Sequence, residues 1–339
     1  MIATLPLLAA AAAAQPSPEP LKTFRDWTVG CDNGRACHAV ALVPEGKWEE
    51  YVPMSVRRGP EPGAVPEISF ETRDEAEPAW AAGGGKRIPL RHLAASFGPR
   101  IGSESVPAIL AAARTAPRLE LLGKNGKTIG AVSLSGATAA LLYMDEKQKR
   151  LGTASALVRP GAKPASAVPP PPALPRVASA PASAKPPRRL GKAEVQRLRE
   201  KSCDGASDQG EEREVEVFRL DAGTSAAHVP IACWSGAYNM ATLLLVARDT
   251  GPWKGAPFDQ PLAQGQDDTQ AGIVYNADWD PKTRRLGTYM KGRGIGDCGT
   301  IQTHAWDGSR FRLAEQAEMG ECRGSMDYIT TWRAEVVSR

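Results

Sequence analysis

The sequence lacks the short motifs by which many enzymes are recognised. It contains no G-x-S-x-G, G-x-x-x-x-G-K-[ST], H-E-x-x-H or C-x-x-C segment. These absences remove the usual signatures of serine hydrolases, P-loop nucleotide-binding proteins, zinc proteases and thiol redox proteins. Histidine is scarce as well, and none of the four has a second ligand at a metal-binding spacing: His38, His92, His228 and His304. We therefore expect neither a metal site nor a cofactor.

Beyond its first residues, the sequence has no apolar run long enough to span a bilayer. Residues 2–14 are apolar and small, and the run Ala12-Ala13-Ala14 precedes a polar, Pro-rich stretch, as is typical of a signal-peptidase site. We predict a signal peptide over residues 1–14, cleavage after Ala14 and a periplasmic mature protein without a transmembrane segment. The usual basic residues before the apolar run are missing, so an Ala-rich N-terminus of a cytoplasmic protein is the alternative.

The six cysteines favour export. An even number suits disulfides in an oxidising compartment. Pairing of neighbours within each half of the chain predicts three disulfides, of which the last two have alternatives: Cys31–Cys37, Cys203–Cys233 and Cys298–Cys322.

A Pro-, Ala- and Ser-rich segment divides the chain. Residues 158–190 contain no aromatic residue and no acid, and such a composition predicts a disordered, extended linker. It would join a domain at residues 15–157 to a second domain at residues 191–339. The linker carries six basic residues, whereas the first domain has a net charge of +2 and the second of −4. Because the excess positive charge is not on a folded domain, we expect no nucleic-acid binding.

Strand and turn signals dominate both domains. The five turn-tolerant residues between Cys31 and Cys37 predict a hairpin, and Asn125-Gly126 and Asp307-Gly308 predict two more. Helices are predicted at residues 103–113, at 135–152, with its DEKQKR end in solvent, and at 192–202. The fold class is therefore mainly β with some helix (α+β), as two small disulfide-containing antiparallel β domains.

The stretch KGRGIGDCG, residues 291–299, has four glycines in nine residues. Its spacing and the strand predicted after it do not fit a dinucleotide-binding loop, which needs G-x-G-x-x-G before a helix. We interpret it as a glycine-rich bend between two strands, tied by Cys298 to Cys322. Arg293 and Asp297 either pair with each other and hold the bend, which we favour, or are displayed for a partner.

Several segments together resemble one family of exported bacterial proteins of unknown function, the DUF1176 family. They are FRDWTVGCDNGRACHAVAL, SLSGATAALLYMDEKQKRLGTASALV, CWSGAYN, GRGIGDCG, WDGSRFRL and ECRGSMDYITTWRA. The first domain is also loosely similar to the invasion-associated locus B family. The resemblance implies export and disulfides but no reaction, and it assigns no catalytic residue.

We expect a non-enzymatic binding or envelope-support protein whose partner is an envelope protein or a cell-wall polymer. The candidate partner-binding residues are Arg293, Asp297, Trp306 and Arg323. The alternative is a cell-wall hydrolase that uses Asp297 with a second carboxylate. An open cleft around Arg293 and Asp297 would favour the hydrolase, and their pairing at a turn would favour the binding protein.

Overall fold

The computed structural model describes residues 15–73, 76–93, 100–203, 214–233, 235–259 and 272–339. The predicted signal peptide, residues 1–14, lies outside the described residues. The described part of the chain is mainly β, with three α-helices.

The N-terminal half is built from short antiparallel strands. They form a seven-stranded sheet, in the order β1-β2-β3-β4-β5-β9-β8, and a four-stranded sheet, β11-β10-β6-β7. The helices of this half are α1 (Val106–Thr115) and α2 (Ala137–Lys147). Strands β1 to β11 span, in order, Lys22–Phe24, Trp27–Cys31, Cys37–Ala41, Met54–Arg58, Glu67–Phe70, Trp80–Gly83, Lys86–Pro89, His92–Leu93, Arg100–Ile101, Arg118–Leu122 and Thr128–Ser133.

Strands β2 and β3 are buried at every residue, which means that both faces of the sheet are covered here. On one face, alternate residues such as Trp27 and Val29 join the core of the N-terminal half, against which α2 packs. On the other face, Val40 packs with Ile329 of the C-terminal half. The two halves are therefore in direct contact.

The C-terminal half contains two five-stranded antiparallel sheets and helix α3 (Lys192–Ser202). One sheet has the order β13-β14-β15-β16, with β17 also paired to β15, and the other has the order β18-β19-β20-β21-β22. Strands β12 to β23 span, in order, Arg176–Ser179, Glu216–Arg219, Thr224–Pro230, Ala241–Arg248, Lys254–Gly255, Ile273–Tyr275, Asp278–Asp280, Arg285–Lys291, Gly299–Trp306, Phe311–Met319, Ile329–Arg333 and Glu335–Ser338.

These two sheets pack face to face. Leu220 and Leu244 from the first sheet meet Leu286, Trp306 and Phe311 from the second in one buried cluster. The opposite face of the first sheet packs against α3 in a separate cluster. This arrangement is a β-sandwich with a helix on one side.

The prediction of a disordered linker at residues 158–190 is wrong. Residues Arg176–Ser179 form β12, which pairs in parallel with β23, and Val168 and Val177 are buried. The amide of Ala180 also donates to the carbonyl of Trp306 at 2.9 Å. The apolar residues scattered among the prolines find partners on the rest of the chain, and composition alone does not reveal those partners.

The prediction that the DEKQKR end of α2 lies in solvent is wrong for three of its six residues. Asp145, Gln148 and Arg150 are at most 1% exposed. They surround the buried guanidinium of Arg58, which donates to Asp145 at 2.7 Å and to Gln148 at 2.6 Å. Buried charges are tolerated when they are paired in this way.

Other predictions are confirmed. The three disulfides are Cys31–Cys37, Cys203–Cys233 and Cys298–Cys322. The predicted hairpins correspond to the antiparallel pairs β2–β3, β10–β11 and β20–β21. The mainly β fold class is confirmed as well.

Candidate binding surface

The glycine-rich bend, defined here as residues 292–298, connects strands β19 and β20. Two glycines show why a side chain is excluded at particular positions here. Gly296 has a φ of +76°, and Gly299, just after the bend, has a φ of +139°, in the region that glycine favours. A methyl group on Gly299 would lie 2.1 Å from the carbonyl oxygen of Met290. The glycines therefore permit a tight turn with close backbone contacts.

A second loop, residues 320–328, holds the bend in place, and we call it the clasp loop. Cys298 of the bend is bonded to Cys322 of the clasp loop. The carboxylate of Asp297 accepts a hydrogen bond from the amide of Gly324 at 2.7 Å. The contacts that join the two loops thus include a covalent bond and a charge-assisted hydrogen bond.

Arg293 and Asp297 pair with each other. The Nε of Arg293 donates to Asp297 at 2.6 Å, and its Nη2 donates to the second carboxylate oxygen. The Asp297 side chain is 1% exposed and that of Arg293 is 37% exposed. Burial raises the pKa of Asp297, but the hydrogen bonds from Arg293 and Gly324 outweigh burial and hold the pKa below its usual value. Asp297 is consequently an ionised, enclosed carboxylate.

The hydroxyl groups of two tyrosines contact the backbone of the bend. The hydroxyl of Tyr289 donates to the carbonyl of Gly296 at 2.6 Å, and that of Tyr328 lies 3.0 Å from the same oxygen. The two hydroxyls are 2.9 Å apart. Burial raises the pKa of Tyr328, and the hydrogen bond with Tyr289 raises it further, so this hydroxyl stays protonated. The backbone at the tip of the bend is therefore fixed from several directions.

Large apolar side chains surround this rigid bend in exposed positions. Within the described residues, seven large hydrophobic side chains are classed as exposed, and four of them are here. We call these four the apolar patch, and their exposures are Ile295 66%, Met326 56%, Trp48 39% and Tyr238 38%. Exposed apolar residues that cluster, rather than occur singly, mark interaction sites.

Close contacts place three members of the apolar patch against the bend, which itself carries the fourth, Ile295. A methyl group on Gly294 would lie 3.4 Å from the ring of Tyr238, and one on Gly296 would lie 3.7 Å from the terminal carbon of Met326. The guanidinium carbon of Arg293 is 5.4 Å from the ring centroid of Trp48, which is within the range of a cation–π contact. The glycines thus let the neighbouring side chains lie directly against the bend.

Arg323 is only 18% exposed and connects the two halves of the protein. Its guanidinium donates to the carbonyls of Val43 at 2.9 Å and Arg25 at 3.0 Å and pairs with Asp26. Its role is to anchor the clasp loop to the N-terminal half.

Trp306 is a candidate that is not available to a partner. It is 3% exposed, and its indole N–H donates to Asp221 at 2.7 Å. The interpretation of Trp306 as a partner-binding residue is wrong, because it belongs to the core between the two C-terminal sheets.

A further ion pair lies where the clasp loop meets the N-terminal sheet. Asp327 pairs with Arg57 and accepts from Ser55 at 2.5 Å. His38 lies 3.6 Å from Asp327, and burial, assisted by Arg57, lowers the pKa of His38 to about 3, so this histidine is neutral at pH 7. The clasp loop is thus held by the N-terminal half on one side and by the bend on the other.

Sequence reasoning located the bend and the disulfide but missed the apolar patch. Ile295 stands in the segment predicted as a glycine-rich bend, and Met326 follows the polar, glycine-containing run ECRGS, so neither has a predicted core to enter. That mismatch is the signal that could have identified them. Trp48 and Tyr238 are distant in the sequence, and only the fold brings them to the bend.

The described residues contain no group of three or more His, Cys, Asp or Glu side chains arranged to hold a metal ion. Within the same residues, no helix is long and apolar enough to cross a membrane.

Comparison with known proteins gives a family without an assigned activity. The model of a family described as "Protein of unknown function (DUF1176)" matches residues 21–335. The chain belongs to the DUF1176 family. Three disulfides in a protein of this family fit an exported protein.

Two known proteins show similarity to this chain. The uncharacterized protein YpfG of Escherichia coli K12 is 34% identical over 208 residues, which is 59% of each of the two chains. The match thus spans less than two thirds of the length of that relative. The crystal structure of invasion associated protein B from Bartonella henselae is similar over 39% of this chain and 99% of its own, with 19% identity and a TM-score of 0.25. At that score, the second similarity supports no argument.

Proposed function

We propose that this protein is a non-enzymatic binding protein of the bacterial periplasm that uses the apolar patch to engage an envelope protein. The observation that supports this proposal is the exposure of Ile295 and Met326 on loops whose backbone is fixed. A rigid surface loses little conformational entropy when a partner binds, so its apolar contacts contribute more fully to affinity.

The composition of the apolar patch suits a protein partner. Tryptophan, tyrosine, methionine and arginine are enriched in protein–protein interfaces, and the surface around the bend contains each of them. Arg293 contributes its planar face next to Trp48 while its charge is balanced by Asp297. An envelope protein with a complementary apolar surface is therefore the partner that we favour over a cell-wall polymer.

The hydrolase alternative receives no support from the geometry of Asp297. A catalytic carboxylate must reach its substrate, whereas this side chain is 1% exposed and both its oxygens accept hydrogen bonds. A general acid also needs a raised pKa, and that of Asp297 is lowered.

We also propose that residues 15–157 and 191–339 are two domains that act as one binding unit. Arg323 and Asp327 of the C-terminal half make ion pairs with Asp26 and Arg57 of the N-terminal half. Trp48 of the N-terminal half also stands beside the bend of the C-terminal half. These contacts favour a single composite surface over two independent modules on a tether.

The proposal is tested by capture with matched variants. Immobilised mature protein is incubated with periplasmic extract, as wild type, as the double variant Ile295→Asp/Met326→Asp and as Val65→Asp. Val65 is a suitable control because it is 64% exposed and is not a member of the apolar patch. We expect a bound protein that wild type and Val65→Asp retain equally and that the double variant retains at least tenfold less.

Equal capture by all three variants would contradict the proposal. A parallel incubation with isolated cell wall separates the two partner classes. Binding to cell wall that depends on Ile295 and Met326, without any captured protein, would assign a polymer and overturn the choice of a protein partner.

A further inference from the structure

A second concave surface lies in the C-terminal half, separate from the apolar patch. It is a groove of about 710 Å³ between two edge strands, β13 of one sheet and β18 of the other. Residues 182–183 and the turn at residues 281–284 complete its walls. Its volume is in the range of pockets that hold small ligands or a few peptide residues.

Two stacked aromatic rings form the floor of the groove. Phe218 of β13 and Trp279 of β18 have ring centroids 4.8 Å apart and planes inclined by 14°. Both are partly buried and pack against the core between the two sheets. The floor is therefore apolar and firmly supported by the sandwich.

The arginines of the groove are engaged by the protein itself. Arg219 donates to Asp249 at 2.5 Å, and its side chain is 9% exposed. Arg284 donates to the carbonyl of Ala180 at 2.6 Å. These guanidinium groups are directed to internal acceptors, and their donors are not directed to a ligand.

The carboxylates of the groove, in contrast to its arginines, are exposed to solvent. Glu216 has a side chain that is 71% exposed, and Glu214 is exposed as well. The imidazole of His228 lies 3.8 Å from Glu216, but burial lowers the pKa of His228 to about 4, so it carries no charge at pH 7. The charge that the groove offers to a ligand is therefore negative.

We propose that the groove binds an extended basic peptide, a segment of a partner protein, which adds as a strand along β13. Among the described residues, β13 has a strand neighbour on one side only, and an edge strand offers backbone groups for pairing with a further strand. Glu214, Glu216 and Phe218 share one face of β13, so this face attracts the Lys or Arg side chains of the peptide. The aliphatic side chains between them meet Val215 and Val217 on the other face. This site is distinct from the apolar patch and does not depend on the proposed function of that patch.

The test uses fluorescently labelled eight-residue peptides and the full mature protein in anisotropy titrations. The probes are an alternating Lys/Val peptide, an alternating Glu/Val peptide and the Lys/Val peptide with N-methyl groups on alternate backbone amides. We expect the Lys/Val peptide to bind, and the other two to bind at least tenfold more weakly, since one lacks the charge and the other the backbone donors.

Matched variants locate the site. Glu216→Lys is expected to weaken binding of the Lys/Val peptide at least tenfold, whereas Glu146→Lys, which changes an exposed carboxylate in the N-terminal half, leaves it unchanged. Ile295→Asp is expected to have no effect. No binding of the Lys/Val peptide, equal binding of the N-methylated peptide, or equal loss in both lysine variants would each overturn the proposal.

Discussion

Two arginine–carboxylate pairs of the same chemistry serve different purposes in the two halves of this protein. Arg58 and Asp145 are each 0% exposed and lie in the interior of the N-terminal half. Arg293 and Asp297 lie at the surface of the C-terminal half, where the carboxylate is enclosed and the guanidinium is 37% exposed. The surroundings of each pair, rather than its composition, determine what the pair does.

The interior pair fastens secondary-structure elements to one another. Asp145 of α2 accepts from Arg58 of β4 and also from the amides of Leu157 and Val158. Burial lowers the pKa of Arg58 to about 10, which still leaves it charged at pH 7. Every partner is internal, so this pair can contribute only to the fold.

The surface pair shapes a loop that other molecules can reach. Asp297 fixes the bend and the clasp loop, and the same contacts leave Ile295 and Met326 exposed. The comparison teaches that a buried carboxylate at a glycine-rich turn can serve to present its neighbours, without taking part in chemistry itself.

The largest effect is expected from breaking the interior pair. Asp145→Ala leaves the Arg58 guanidinium buried without its counter-charge, and we expect a loss of about 3–5 kcal/mol in the free energy of unfolding. Urea denaturation followed by circular dichroism measures this loss. The neighbouring Glu146 is exposed, so Glu146→Ala should change stability by no more than about 0.5 kcal/mol. Equal effects of the two substitutions would show that the interior pair has no special role.

A smaller effect is expected from breaking the surface pair. Asp297→Ala leaves the Gly324 amide without its acceptor, while Arg293 can turn to solvent, and we expect a loss of about 1–3 kcal/mol. The same denaturation experiment measures it, with Asp278→Ala as a control at an exposed carboxylate. A loss as large as that of Asp145→Ala would mean that the two pairs do not differ as described.

The smallest effect is expected in how the contribution of the surface pair to the unfolding free energy changes with pH. The folded pKa of Asp297 is lower than that of an unfolded Asp, which is about 3.9, so its contribution is present above about pH 4 and is lost as the pH falls through the folded value. The difference in unfolding free energy between wild type and Asp297→Asn should be constant from pH 8 to pH 5 and shrink below pH 4. A difference that already shrinks between pH 7 and pH 5 would contradict this assignment.

Much of the local structure could be predicted from the sequence, because its signals are local. The dipeptides Asn125-Gly126 and Asp307-Gly308 predicted two hairpins. Each disulfide joins one cysteine to the next cysteine along the chain. The bend was recognised from its glycines, and Arg293 and Asp297, favoured as a local pair within it, are four residues apart. Each of these features depends on residues close together in the chain.

The parts that could not be predicted depend on distant residues. Gly30 and Thr28 alternate with Trp27 and Val29 in β2 and therefore resemble solvent-facing positions. They are in fact covered by the C-terminal half, because the absence of a side chain at Gly30 lets Ile329 approach. Nothing in the sequence near β2 indicates this cover.

The same reason explains the error over residues 158–190 and the incomplete account of the site. The strand formed by Arg176–Ser179 needs Glu335–Ser338 as its partner, at the far end of the chain. The apolar patch likewise combines Trp48 with Ile295 and Met326. Single-sequence patterns carry no information about such pairings.

The central claim is that the apolar patch around the bend contacts a partner, and site-specific photo-crosslinking in living cells tests it most directly. A photoreactive amino acid is placed at Ile295 in one strain and at Val65 in another, since the two positions are similarly exposed at 66% and 64%. We predict a discrete cross-linked species of higher mass from position 295 and none from position 65. The same cross-linking pattern from both positions, or none from position 295, would contradict the claim.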